Sequence, residues 1–258
     1  MTKGEGRSWL VAAVLAAALL TLAGSGTALR GFLAFLFPGT PEPLYPRAGL
    51  AYLLGEHVAL VAVSSLLAAI IGIAAGVVAT RRGSESFADL AERLAAVGQT
   101  FPPAAVLALA VPSLGFGFAP TIVALFLYGI LPVLRNTMSG LAGVGPDVLD
   151  AALGMGMGRT RILFKIELPL AAPVILAGLR TSVIVNIGTA TVGATIGAGG
   201  LGSPIISGLV TQNPSYLAEG AVAVALLALA VDALFAAAAN TLARTREFSA
   251  VAAPAARS

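Results

Sequence analysis

The sequence has no cysteine. Disulfides, thiolate metal sites and cysteine nucleophiles are therefore excluded. It has a single histidine, His57, so no site that needs two imidazoles can be assembled. Lysine occurs only at Lys3 and Lys165, and neither stands in a G-x-x-x-x-G-K-[ST] pattern. Without that loop the chain does not cradle ATP by the Walker A route. Charge is scarce as well. Asp, Glu, Lys and Arg make up 10% of the chain, against roughly 25% in an ordinary soluble domain. A chain this long with so little charge cannot keep a soluble domain hydrated, so most of it is solvated by lipid.

What fills the sequence is apolar. Of 258 residues, 58% are hydrophobic, and the mean hydropathy is +0.95. A helix needs about 20 apolar residues to cross a bilayer. Six stretches approach that length: 9–29, 52–80, 94–114, 120–135, 168–196 and 217–243. The fourth reaches it only if its flanks, 115–119 and 136–141, contribute. The expected fold class is an all-α integral membrane protein with about six transmembrane helices.

Basic residues collect on the cytoplasmic side of such proteins. With the N-terminus inside, the cytoplasmic segments carry Lys3 and Arg7; Arg81, Arg82 and Arg93; Arg135, Arg159, Arg161 and Lys165; and Arg244, Arg246 and Arg257. The external segments carry Arg30 and Arg47, and Arg180 falls within the fifth span. This asymmetry also accounts for the pI near 9.7. The positive charge is topological, and no nucleic-acid partner is expected.

The first span admits two readings. Lys3 and Arg7, an apolar run and the small residues Ala23 to Ala28 resemble a cleaved secretory signal. The length of the run favours a retained helix. Residues 30–49 carry Pro38, Pro41, Pro43 and Pro46, which cannot continue a helix. The expected organisation is an N-terminal helix with an external Pro-rich linker (1–50), a membrane core (51–245) and a cytoplasmic tail (246–258).

The segment 145–170 is the most informative. Pro146 and Asp147 suit a helix start. Glycines at 154, 156 and 158 break that helix, and Arg159 to Phe164 is predicted to form a second short one, with Pro169 opening the next span. Within it stand Asp150, Ala151, Ala152, then Gly156, then Ile166, Leu168 and Pro169. This spacing resembles the EAA motif of binding-protein-dependent ABC permeases: Glu-Ala-Ala, three residues, Gly, nine residues, Ile, one residue, Leu-Pro. The departure is Asp150 in place of Glu, which keeps the charge on a shorter arm. Gly154, Gly156 and Gly158 do not make a dinucleotide site, since no strand precedes them.

The resemblance implies a type I importer permease: a five-helix core, here with one added N-terminal helix, in the bacterial cytoplasmic membrane. The loop would form coupling helices that dock on a separate ATPase subunit. Ala151 and Ala152 would allow close approach, and Met155, Met157, Leu163 and Phe164 would fill a hydrophobic groove. ATP and magnesium would sit on that ATPase, and no cofactor on this chain. An extracytoplasmic substrate-binding protein and a second permease subunit, identical or not, are the other implied partners.

Further residues narrow the resemblance. Leu131 to Thr137, Ala177 to Thr181, Gly188 to Gly202 and Gln99-Thr-Phe-Pro-Pro103 are similar to the osmoprotectant branch, which imports glycine betaine, choline, carnitine or related quaternary amines. Pro103 departs from the Ser usual there. A permease of the same architecture for another solute, such as methionine, is the alternative.

Polar residues within spans are candidates for the translocation path: Ser64, Ser65, Gln99, Thr100, Asn136, Asn186, Thr189, Thr191 and Asp232. Each has a competing reading as a hydrogen bond between helices, and Asp232 as half of an ion pair. Asn186 and Thr189 share one helical face. Gly72 and Gly76, and likewise Gly193 and Gly197, form G-x-x-x-G pairs that suit close helix packing. Gly199, Gly200 and Gly202 are candidates for an irregular external gate, tolerated at depth only where protein or water covers it. Glu56 and His57 are expected at the outer start of the second span. No aromatic cage for a quaternary amine is visible, so recognition is expected mainly on the binding protein. An intramembrane enzyme is disfavoured by one histidine and one deep acid, and a receptor-like protein does not explain the loop spacing.

Overall fold

A computed structural model describes residues 3–81 and 83–251, and side chains for 6–81 and 83–242. Arg82 and Arg257, and the side chains of Lys3, Arg244 and Arg246, lie outside what is described. Among the described residues there is helix and no strand. In chain order the elements are α1 (Lys3–Gly24), α2 (Gly26–Leu36), α3 (Leu50–Ala79), α4 (Glu85–Thr100), α5 (Pro103–Leu114), α6 (Phe118–Ala142), α7 (Pro146–Gly154) and α8 (Arg159–Ile162). A π-helical turn (Leu163–Glu167) leads into α9 (Leu168–Ala190), which tightens to a 3-10 turn (Thr191–Ile196); α10 (Gly202–Thr211) and α11 (Pro214–Val251) follow.

Among the described residues five helices are long and apolar enough to cross a membrane, or six if one bent pair counts as a span. The bent pair corrects the expectation of a straight span over 94–114. α4 and α5 meet at 97°. Pro102 and Pro103 supply no N–H to the preceding turn, and Phe101, which precedes a proline, is extended with φ −73° and ψ 134°. The first span also differs from 9–29: it breaks at Ser25, between Gly24 and Gly26. The fourth span does draw on its flanks and runs 25 residues, from Phe118 to Ala142.

The heart of the bundle is α3, α6 and α9, held together by missing side chains. A Cβ on Gly72 would stand 3.0 Å from Val133, and one on Gly76 would stand 2.7 Å from Thr137. That pair packs α3 on α6 as its spacing anticipates. A Cβ on Gly178 of α9 would stand 2.6 Å from Asn136 and 2.7 Å from the Pro132 carbonyl of α6. In lipid, where apolar contact with a tail is as good as contact with Leu, such close approach is a main source of helix association.

α1 packs along α11, and Leu19, Leu29 and Leu33 join the buried cluster of Leu53, Leu60 and Leu227. The Pro-rich segment is not a loose tether. It is fastened to the start of α11: Ser215 Oγ donates to the Pro43 carbonyl at 2.6 Å, and the Tyr45 N–H donates to Glu219 at 2.8 Å. Tyr45 and Tyr216 also meet edge to face at 5.9 Å.

Gly178→Val forces two backbones apart and is expected to destabilise the bundle by about 3 kcal/mol, near the upper end for overpacking. Gly188→Ala, at a position with no neighbour within 4 Å, is expected to be neutral or mildly stabilising. Thermal unfolding of the detergent-solubilised protein compares the two.

Candidate functional site

Two ends of the bundle carry distinct polar constructions. At one end α3 finishes, α7 lies across, and α8 turns into α9. Arg81 Nη1 donates to Glu167 at 2.9 Å and Arg81 Nε to the Val77 carbonyl at 3.0 Å. Glu167 is buried while Arg81 is more open. Thr80, Arg81, Leu149, Asp150, Arg159 and Glu167 border a groove of about 470 Å³ between α7 and the bundle. Arg81, Asp150, Arg159 and Glu167 give it alternating charge.

The segment carrying the 150–169 spacing differs in two respects from the helix, turn, helix expected. α7 does end at the glycines, and Gly156 takes a left-handed φ of 78° with open space around it. α8, however, does not stop near Phe164. The Leu168 N–H reaches back five residues to the Leu163 carbonyl, and the helix runs on into the membrane. Pro169 is the physical reason. It supplies no N–H to the turn before it, and its ring would crowd the Lys165 carbonyl in a regular α-turn. One widened turn relieves the clash without ending the helix.

The second difference concerns the small-residue face. Ala151 is exposed but Ala152 is fully buried against the chain itself. The outward surface is instead formed by Val148, Leu153, Met155 and Phe164, with Met155 73% and Phe164 63% exposed. Asp150 and Gly156 are exposed beside them, Ile166 and Leu168 are half-buried, and Pro169 is exposed in the first turn of α9.

Toward the other end, the 3-10 turn gives way to a glycine segment with left-handed φ at Gly197 (78°), Gly199 (78°) and Gly200 (74°). A side chain at Gly199 would strike the Glu56 carboxylate, and one at Gly202 would strike the Thr191 backbone. The Gly200 N–H donates to Glu56 Oε2 at 3.0 Å. His57 is fully buried beside Gly200, and its Nε2 lies 3.0 Å from the Ile187 carbonyl. So Glu56 and His57 do not mark a helix start. α3 begins at Leu50, and these residues fasten the irregular segment from the next helix. A sequence signal existed in two adjacent ionisable residues seven and eight positions into an apolar span.

The polar candidates fall into separate places. Asn186 is fully buried; its Nδ2 reaches Ser65 Oγ at 3.0 Å and Ser64 Oγ at 3.4 Å. Its Oδ1 and the Ser182 Oγ, both buried, have no hydrogen-bond partner among the described residues. Thr189 is half-buried one turn on. Gln99 Nε2 donates to the Tyr128 carbonyl at 2.6 Å, the Tyr128 hydroxyl donates to the Phe101 carbonyl, and Thr100 bonds back to Val97. Those contacts pin the α4–α5 corner to α6. Asn136 Nδ2 bonds the Pro132 carbonyl in its own helix at 2.8 Å, at the α6–α9 contact. Asp232 pairs with Arg180, Nε to Oδ1 at 2.6 Å and Nη2 to Oδ2 at 2.7 Å. Arg180 is the partner that sequence reading left unnamed, because it lies 52 residues away on a different helix.

Residues 68–246 match the family model described as binding-protein-dependent transport system inner membrane component. The chain is 42% identical over 195 residues to the choline transport system permease protein OpuBB of Bacillus subtilis, covering 75% of this chain and 88% of that protein. It is also 42% identical over 190 residues to the osmoprotectant import permease protein OsmY of Salmonella typhimurium, covering 74% and 80%. Its fold is similar to a chain of the MetNI methionine ABC transporter in an inward-facing conformation, with TM-score 0.66, 21% identity and coverage of 75% and 95%. The chain belongs to the binding-protein-dependent inner membrane component family: it is a multi-pass transport subunit and not an enzyme.

Removing Arg81 strands the buried Glu167 carboxylate. Arg81→Ala is expected to cost about 2 kcal/mol, below the full penalty for a buried pair because Arg81 is partly solvated. Arg93→Ala, which breaks the exposed pair with Asp89, is expected to leave stability nearly unchanged. Thermal unfolding of both variants in detergent checks the ranking.

Proposed function

We propose that this transport subunit passes a quaternary amine osmoprotectant (glycine betaine, choline or carnitine) across the bacterial cytoplasmic membrane by alternating access, driven by a separate ATPase. The observation that carries the ATPase link is the exposed apolar surface of Val148, Leu153, Met155 and Phe164 beside Asp150 and Gly156. Apolar side chains on an aqueous loop mark a surface for a soluble partner. Asp150, Ala151, Gly156, Ile166, Leu168 and Pro169 hold that surface, with Ala152 serving as its internal packing. ATP and magnesium belong to the ATPase, and the cargo arrives from an extracytoplasmic binding protein.

The cargo reading is supported by the relatives named for choline and osmoprotectant transport at 42% identity. The likeness to a methionine transporter stands at 21% identity and speaks for fold alone. Residues 51–245 form the working core. The N-terminus is placed in the cytoplasm by the distribution of arginine, which puts the α7–α8 loop inside and Gly199, Gly200 and Gly202 toward the outside as a gate. Two copies of this loop, on this subunit and a second permease, would engage two ATPases.

The absence of cysteine makes orientation directly testable. A single cysteine at Gln212 is expected to react with a membrane-impermeant thiol reagent in intact spheroplasts. One at Met155 is expected to react only after permeabilisation.

Uptake of labelled glycine betaine, choline and carnitine is to be measured in cells expressing the chain with its ATPase and binding protein. Gene-dependent uptake of at least one is expected. Asp150→Arg and Gly156→Trp are expected to lower it by at least about tenfold, the scale of a single interface hot spot, with the protein still in the membrane. Absence of uptake of all three compounds overturns the cargo reading.

A further inference from the structure

Arg180 and Asp232 are opposite charges within membrane-spanning helices, and their side chains are 40% and 36% exposed. Hydrocarbon does not tolerate ions left open to it, so intramembrane charges face protein or a water-filled cavity. The open side of this pair is therefore not a lipid surface. Each carboxylate oxygen takes one N–H from the guanidinium. That engages two of its five donors and leaves the rest of the fork unused among the described residues.

A furrow lies between α3 and the two helices that carry the pair. Val58, Ala62 and Ser65 of α3, Val183 and Ile187 of α9 and Val231 of α11 line a cleft of about 150 Å³. Arg180 lies one turn along α9 from Val183, and Asp232 follows Val231. The three helices progress in step. Val58 to Ser65, Ile187 to Val183 and Val231 to Asp232 all run from the glycine-segment end of the bundle toward the α7 end. Asn186 bonds Ser65, which lines the cleft, and its Oδ1 has no partner among the described residues. The cleft is smaller than the roughly 300 Å³ and upward of a drug-sized site, so it suits a solute of few heavy atoms.

We infer that Arg180 and Asp232 form an exchangeable ion pair in the translocation path, opened by a zwitterionic quaternary amine whose carboxylate takes Arg180 and whose ammonium takes Asp232. The inference rests on the cargo class proposed above and adds a site to it. An apolar furrow accepts the methyl groups of a trimethylammonium while the Asp232 carboxylate, one residue beyond Val231, answers the charge. Exchange leaves no charge unpaired at any stage: two ions that held each other come to hold the two ends of one solute. A cation without a carboxylate, such as choline, uses Asp232 alone and leaves Arg180 without a partner. The pair thus discriminates zwitterion from simple cation at a point the binding protein does not control.

The test uses the full transporter in proteoliposomes with its ATPase and binding protein. Initial uptake rates of glycine betaine, carnitine and choline are compared for wild type, Arg180→Gln, Arg180→Lys and Asp232→Asn. Arg180→Gln is expected to lower the maximal rate for both zwitterions about tenfold relative to choline, with half-saturation unchanged because the binding protein sets it. Arg180→Lys, which keeps charge and loses the fork, is expected to fall between. Asp232→Asn is expected to depress all three. The exchange is overturned if Arg180→Gln depresses the three cargoes equally, or if Arg180→Asp with Asp232→Arg restores all three, since a reversed pair then serves as a structural pin. Failure of both Arg180 variants to reach the membrane also assigns the pair to folding and overturns it. Uptake of none of the three by wild type is a different result, which removes the cargo reading and this inference together.

Discussion

A peptide group in hydrocarbon has no water to bond, so irregular backbone survives at depth only where protein supplies the missing partner. The architecture follows from that constraint. At the α4–α5 corner, Pro102 and Pro103 end one helix, the Tyr128 hydroxyl of α6 donates to the freed Phe101 carbonyl, and Gln99 Nε2 of α4 donates to the Tyr128 carbonyl. At the glycine segment, Glu56 accepts the Gly200 N–H. At the junction of α8 and α9, a widened turn keeps the hydrogen-bond ladder running past Pro169. Each of these three departures from regular helix is matched by a specific donor or acceptor on a neighbouring element or by a local change of helical pitch.

The central three helices make those matches possible by standing close. Gly72, Gly76 and Gly178 bring α3, α6 and α9 within backbone reach of one another. Short polar side chains (Ser64, Ser65, Asn186) then meet across the gap, where longer ones would hold the helices apart. The same small-residue economy leaves Asn186 Oδ1 and Ser182 Oγ buried without partners among the described residues. Such groups are costly in a sealed core, and their tolerance beside a cleft is consistent with an interior that opens.

Much of this was readable in the residues. Six apolar stretches became five spanning helices and a bent pair, and the flanks of 120–135 completed the short one. The glycines after Leu153 marked the turn that ends α7, because local chain geometry sets it. Two things were not readable. One was the shape of Pro-containing segments: Pro102-Pro103 turned the chain through a corner, whereas Pro169 cost a single widened turn. The other was register between helices. Arg81 with Glu167, Arg180 with Asp232 and Glu56 with Gly200 are paired across 86, 52 and 144 residues. No periodicity within one helix reports how far its neighbour has slid. Ala152 failed for a related reason: its small side chain suits a partner's surface and the chain's own interior equally well.

The widened turn before Pro169 has a mechanical meaning. Had α8 ended at Phe164, the loop would hang from the membrane helix by a flexible joint, and force applied to Met155 or Phe164 would dissipate there. Instead Arg159 to Ile196 is one run of 38 helical residues, about 57 Å at 1.5 Å per residue. A run of that length connects the aqueous loop to the far end of the bundle without a break in helix. A tilt of about 5° at its aqueous end sweeps the far end through about 5 Å, and that far end is where the glycine segment begins. The aqueous loop and the glycine segment are thus joined through a single unbroken helical run.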